Sequence, residues 1–295
     1  HRHADAVFAD VDNDKGAELL LCGEWMPMRI LKSKQGKFID VAPALLDTSL
    51  IGWWQSITAG DIDGDGDMDL VAGNLGLNNK FHPSAEHPLM VYMSDFDGTN
   101  TNDIVLAKTG DRCELPVRGR ECSSGQMPFI KDKFPTYKAF ANATLENIYG
   151  REALAKAVRL KATTFASMLF MNEHGRFVAK PLPMAAQIAP IRSAVIADVD
   201  GDGRKDLLVA GNMYGAEVET VRYDAGIGLL MLGGSASDPV PVTAERSGIS
   251  IPFDSRGLLP ITVAGRGPCY VAINNDGPLM LFAPRDRAGR QLVSR

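Results

Sequence analysis

Nowhere does the sequence offer the eighteen or more uninterrupted apolar residues that a membrane-spanning helix requires, which excludes that class of membrane protein. Its opening residues, His1-Arg2-His3-Ala4-Asp5, lack the basic start and apolar core of a secretory leader, so any signal peptide is expected to lie upstream or to have been removed. Cysteine is scarce. Four residues allow at most two disulfides. Cys113 and Cys122 close a short loop rich in Arg, Gly and Pro and are the pair expected to bridge in an oxidising compartment, whereas Cys22 and Cys269 sit among strand-like apolar residues and read as buried thiols. An excess of one charge is also missing: 36 acids face 31 bases, a net charge of -5 that points to no nucleic-acid partner. No enzymatic signature is recognisable. What is abundant is apolar content, 45% of 295 residues, enough for the core of one large all-β domain or two ordinary domains.

The informative feature is an internal repeat. Four times the chain sets Asp at positions 1 and 3, usually Asp at 5, an acid at 9, and then three apolar residues. The copies run Asp10-Val-Asp12-Asn-Asp14-Lys-Gly16-Ala-Glu18, Asp61-Ile-Asp63-Gly-Asp65-Gly-Asp67-Met-Asp69, Asp95-Phe-Asp97-Gly-Thr99-Asn-Thr101-Asn-Asp103, and Asp198-Val-Asp200-Gly-Asp202-Gly-Arg204-Lys-Asp206. Each follows a short apolar stretch (6–9, 56–59, 91–93 and 194–197), so the unit reads as strand, acidic loop, strand. A single hairpin is marginally stable and must pack against further strands. Those are legible in Met28–Leu31 with Gly36-Lys37-Phe38, and in Met168–Met171 with Gly175-Arg176-Phe177. A repeated four-stranded unit is a propeller blade, and strand-like segments continue through 226–232, 268–273 and 279–282. The expected fold is therefore an all-β propeller with about five blades visible, in keeping with part of a seven-bladed ring. Blades are expected over 1–110 and 162–284, a partly helical insertion over 111–161, and a basic tail over 285–295 carrying Arg285, Arg287, Arg290 and Arg295.

Carboxylates at positions 1, 3, 5 and 9 of one tight loop repel one another, and a hard divalent cation removes that conflict. Calcium takes six to eight oxygens, which side chains at 1, 3, 5 and 9 and a backbone carbonyl at 7 can supply. The predicted ligand sets are accordingly Asp10, Asp12, Asp14, Gly16 and Glu18; Asp61, Asp63, Asp65, Asp67 and Asp69; Asp95, Asp97, Thr99, Thr101 and Asp103; and Asp198, Asp200, Asp202, Arg204 and Asp206. Three or four Ca2+ sites are expected, the third loop being the weakest because Thr99 replaces a carboxylate. An EF-hand is excluded, since it needs Glu at position 12 where this chain has Leu21, Ala72, Leu106 and Val209.

These residues resemble the FG-GAP and VCBS repeat family, whose calcium loops follow D-x-D-x-D-G-x-x-D and which includes the integrin α-subunit propeller. The likeness is sharpest over Ala59–Asn74 and Ala197–Asn212. The segments 222–228 and Asn274–Pro278 look like those of bacterial VCBS proteins with ASPIC/UnbV segments. The resemblance implies a secreted or cell-surface propeller, periplasmic or outer-membrane-associated in a bacterium, used for adhesion or for binding a protein or glycan ligand. Two other readings stand beside it: a carbohydrate-active enzyme on a propeller, and a structural subunit that assembles with other chains.

Outside the loops, Trp53-Trp54 offer rings that could stack on sugars, though one core ring and one blade-edge ring is the simpler expectation. His82 and His87 lack a third ligand for zinc. Pro116–Cys122, with Arg118 and Arg120, is the candidate partner surface. Asn142-Ala-Thr144 matches a glycosylation acceptor.

Overall fold

In the computed structural model, residues 2–111, 113–217, 220–234 and 238–284 are described. The tail predicted over 285–295 lies outside them. The chain divides into two compact units, residues 1–80 with 165–295, and residues 81–164.

In the first unit, β1 (Arg2–Ala9), β2 (Glu18–Pro27), β3 (Arg29–Lys34) and β4 (Lys37–Asp40) form an antiparallel meander, with β5 (Ile51–Trp53) paired to the far end of β2. Next come β6 (Ser56–Gly60) and β7 (Asp69–Gly73). The second unit supplies β8 (Leu89–Ser94), β9 (Asp103–Thr109), β10 (Glu114–Pro116) and β11 (Val158–Ala162), which pair in the order β10-β9-β8-β11. The chain then returns with β12 (Met168–Asn172) and β13 (Phe177–Pro181), which complete the sheet begun by β6 and β7. A four-stranded meander of β14 (Ser193–Ala197), β15 (Asp206–Ala210), β16 (Leu229–Leu232) and β17 (Val240–Val242) follows, and then a three-stranded one of β18 (Ser255–Val263), β19 (Gly267–Asn274) and β20 (Met280–Phe282).

The apolar triplets after the acidic loops explain how the sheets of the first unit stack. A strand turns alternate side chains to opposite faces, so a strand covered on both sides reads as an unbroken apolar run. On β7, Leu70 and Ala72 join Leu20, Cys22, Ile30 and Trp54 in one core, while Val71 joins Ala194, Leu207, Val209 and Met231 in the next. On β15, Leu207 and Val209 belong to that second core, whereas Leu208 and Ala210 pack with Leu258, Tyr270 and Ala272 in a third. Four sheets are thus layered face against face in chain order.

Close approach of the backbone explains the Gly-Asn pair that ends two of these strands. The segment Pro190–Arg192 crosses the ends of β7 and β15, bonding through Ile191 N–H to Asn74 O (3.1 Å) and Arg192 N–H to Ala210 O (2.9 Å). A Cβ on Gly73 would stand 2.0 Å from Ile191 O, and one on Gly211 1.8 Å from Pro190 O. The adjoining amides, Asn74 and Asn212, are fully buried; Asn212 donates to Gly226 O (2.9 Å) and Phe253 O (3.1 Å) and accepts from Gly226 N–H (2.9 Å). Gly211→Ala is therefore expected to lower stability by about 1–3 kcal/mol, the usual cost of overpacking. Denaturant unfolding reads this directly, and an unchanged midpoint would show that the Pro190 carbonyl yields freely.

The second unit has its own core. Met90, Tyr92, Val105 and Ala107 from β8 and β9 pack against Met127, Ile130, Phe140, Leu145, Ile148 and Leu154. The last six come from the run of short helices and their connections between β10 and β11, including Leu145–Tyr149 and Arg151–Lys156, the two stretches whose composition favours helix. Thr144 opens the first of these with a capping box to Asn147. This unit reaches beyond the 111–161 segment and contains the third acidic loop.

Candidate metal centres

All four acidic loops adopt one backbone plan. The position-9 acid begins the outgoing strand and is buried: Glu18, Asp69 and Asp206 are each 1% exposed and Asp103 4%. Its carboxylate reaches back to accept the N–H of position 2, from Val11 (3.1 Å), Ile62 (2.9 Å), Phe96 (3.0 Å) and Val199 (2.8 Å) in the four copies. At position 1 the carboxylate accepts from the middle of the loop. Asp61 takes Gly64 and Gly66 N–H (2.7 and 3.1 Å), Asp95 takes Gly98 and Asn100 (2.7 and 2.9 Å), Asp198 takes Gly201 and Gly203 (2.7 and 2.9 Å), and Asp10 takes Lys15 (2.8 Å). These bonds require a left-handed backbone at positions 4 and 6, where Gly64, Gly66, Gly201 and Gly203 have φ of 77–97°. The first loop meets the same demand without glycine, through Asn13 (58°) and Lys15 (72°).

Carboxylate oxygens from positions 1, 3 and 9 converge in every copy. Asp10, Asp12 and Glu18; Asp61, Asp63 and Asp69; Asp95, Asp97 and Asp103; and Asp198, Asp200 and Asp206 each bring one oxygen within 4.8 Å of the others. Position 5, predicted as a ligand, is not in these groups. Its short side chain bonds instead to the backbone two residues on: Asp14 to Gly16 N–H (2.9 Å), Asp65 to Asp67 N–H (2.8 Å) and Asp202 to Arg204 N–H (3.0 Å). Asp202 also pairs with the Arg204 guanidinium. In the third loop, the Thr99 hydroxyl donates to Asp97 (2.7 Å) and lies 2.8 Å from the Thr101 hydroxyl, so Asp97 is partly satisfied from within.

The electrostatics follow from crowding. Burial pushes the Asp63 carboxyl above its ordinary range, helped by Asp65 and Asp61. Burial does the same for Asp69, with Asp63 and Asp65 adding to it, and for Asp206, where Asp200 adds. Elevated carboxyls mark places where negative charge is held against its own repulsion. The donor set suits a hard cation, being made of carboxylate oxygens alone. In the first loop Asp10 Oδ1 and Asp12 Oδ1 are buried with no hydrogen-bond partner among the described residues, an unmet demand that a cation would meet. The oxygen-only groups of the second and fourth loops also fit a hard divalent cation such as calcium.

The first and second loops are also tied to each other. Asn172, 4% exposed at the end of β12, donates to Val11 O (2.9 Å) in the first loop and Met68 O (3.2 Å) in the second, and its N–H bonds to Asp69 Oδ1 (2.8 Å). Asn13 further donates to Asp67 Oδ1. Sequence reasoning missed Asn172, because only the pairing of β12 with β7 brings it there.

The remaining candidates separate clearly. The Cys113–Cys122 bridge is not formed, and no disulfide joins any of the four cysteines. Cys113 is exposed in the turn after β9, whereas Cys122 lies in the helix Arg120–Gln126 with its Sγ 3.6 Å from Arg118 Nη1, so shortness of the intervening loop does not align them. Cys22 and Cys269 are buried. Arg120 is turned inward, donating to Phe134 O (2.6 Å), and fastens helices rather than presenting a surface. His87 faces Asp111 at 3.6 Å, and neither it nor His82 belongs to a three-ligand group. Trp54 is fully buried, while Trp53 is half-buried between Trp25 (5.0 Å) and Phe165 (4.8 Å). Asn142 is exposed and donates to Lys138 O (3.0 Å).

Residues 4–72, which span the first two acidic loops, match the FG-GAP-like repeat family. No curated protein matches the sequence. Among the described residues no helix is long and apolar enough to cross a membrane.

Proposed function

With an FG-GAP-like repeat in residues 4–72 as premise, we propose that this chain is a stretch of calcium-stabilised β-propeller that works outside the cell as a binding, adhesion or scaffold module. The observation that carries this reading is the fourfold recurrence of a strand–loop–strand unit that draws three carboxylates, one of them a buried position-9 acid, to within 4.8 Å of one another. Bound calcium would cancel the repulsion within each group; Asp61, Asp63 and Asp69, and Asp198, Asp200 and Asp206, would hold it through side-chain oxygens. The face-to-face layering of four antiparallel sheets in the first unit supports blades. The ligand class is a protein or glycan, in keeping with a rigid scaffold that displays loops.

A metal count on protein equilibrated with millimolar calcium tests the reading. Two or more bound Ca2+ per chain are expected, falling by one in Asp63→Asn and by one in Asp200→Asn. A chain that retains no calcium would reduce the loops to acidic turns.

A further inference from the structure

Because the four loops share one backbone plan, a side chain found at only one of them has the other copies as its controls. Lys32 is such a side chain. From β3 it extends into the first loop, where its Nζ contacts Asp12 Oδ2 and lies 2.7 Å from Asp14 Oδ2 and 3.4 Å from Glu18 Oε1. It thereby touches positions 3, 5 and 9 of one predicted ligand set.

Strand register identifies the equivalent position in two other sheets. Position 10 of the first loop, Leu19, pairs with Leu31, and Lys32 follows. Position 10 of the second loop, Leu70, pairs with Phe170, and Met171 follows; position 10 of the fourth, Leu207, pairs with Met231, and Leu232 follows. The second and fourth loops are therefore flanked by an apolar side chain where the first is flanked by an ammonium.

We propose that Lys32 is the resident cation of the first loop, so that a divalent ion enters this loop only by displacing the Lys32 ammonium. An ammonium and a divalent cation cannot share Glu18 and Asp12 at such distances without strong repulsion. The loop keeps the oxygens a divalent ion would use, since Asp10 Oδ1 and Asp12 Oδ1 are buried and unmatched among the described residues. The first loop is thus a weak, self-neutralised site beside stronger metal-dependent ones. Its folding does not wait for calcium. This inference rests on the calcium reading for the second and fourth loops, but its charge-neutralising half stands without it.

The test compares wild type with Lys32→Met, which installs the side chain found at the equivalent position beside the second loop, and with Lys32→Gln as a polar alternative should the first fold poorly. Calcium titration by calorimetry and a metal count are run alongside thermal unfolding in chelator and in excess calcium. Lys32→Met is expected to bind one more calcium than wild type at the same free concentration, the first loop gaining about tenfold or more in affinity through loss of a competing charge. In chelator it is expected to melt below wild type, and calcium is expected to recover the difference. An unchanged count would overturn the displacement, as would loss of a wild-type calcium on Asp12→Asn at low free calcium. If no variant binds calcium, the loops are not calcium sites; a lower melting temperature of Lys32→Met in chelator would then still support neutralisation by Lys32, and an unchanged one would overturn it.

Discussion

Chelation of divalent cations is expected to lower the melting temperature of the unit built from residues 1–80 and 165–295 by about 10–20 °C relative to protein in excess calcium. A ligand bound only by the folded state stabilises by about 2.7 kcal/mol when its concentration is a hundred times Kd. The second and fourth loops of this unit together would then contribute on the order of 5 kcal/mol, and each kcal/mol shifts the midpoint of a domain this size by about 2–4 °C. The pH dependence has a definite sign. Asp63, Asp69 and Asp206 are raised by burial and by neighbouring carboxylates, so the chelated folded state binds protons more readily than the unfolded chain. Their contribution is fully present below the unfolded carboxylate range and is lost as pH rises through the elevated folded values. Asp14, held down by Lys32, runs the other way. In calcium the second and fourth loops reverse their sense, because protons displace the metal. Asp63→Asn separates the two regimes: the variant should melt above wild type in chelator, where a repelling charge has gone, and below it in calcium, where a ligand has gone. Scanning calorimetry at two pH values, each with and without calcium, checks all four arms, and a variant that moves in the same direction in both would refute the metal assignment.

Trp54→Ala is expected to cost about 3–5 kcal/mol, the range for deleting a buried large aromatic side chain. Trp54 is fully buried in the core shared by the first two sheets, alongside Leu20, Ile30 and Leu70, with the Phe170 ring at 6.3 Å. Its removal opens a cavity between sheets that carry the first and second acidic loops, so the loss reaches the loops through their strands. Trp53→Ala is the control. That ring is half-buried against Trp25 and Phe165, and its deletion should cost distinctly less. Urea unfolding of both variants gives the comparison, and equal losses would mean that the second ring is as much a part of the core as the first.

Several features of the fold were legible because they are local. The strand before each acidic loop and the strand after it fall where short apolar stretches meet Asp and Gly, since turn chemistry and side-chain alternation act over a few residues. The hairpins of β3 with β4 and β12 with β13 were visible for the same reason, through Gly36 and Gly175. Convergence of positions 1, 3 and 9 follows from the loop's own hydrogen bonds. The turning of position 5 toward the backbone does not, because Asp65 and Asp202 bond there through rotamers that spacing leaves undetermined.

Local sequence encoded the strand–loop–strand units, the acidic groups and the helical character of 145–156, each within a dozen residues. Tertiary structure decided what lies far apart in the chain. It joined β7 to β12 across the intervening unit 81–164, placed Asn172 between two loops, and gave that unit a core of helices on strands. It also brought Lys32 onto Asp12, Asp14 and Glu18. A lysine fourteen residues beyond a loop has no local reason to meet it; only the register of β3 on β2 makes its ammonium part of the site.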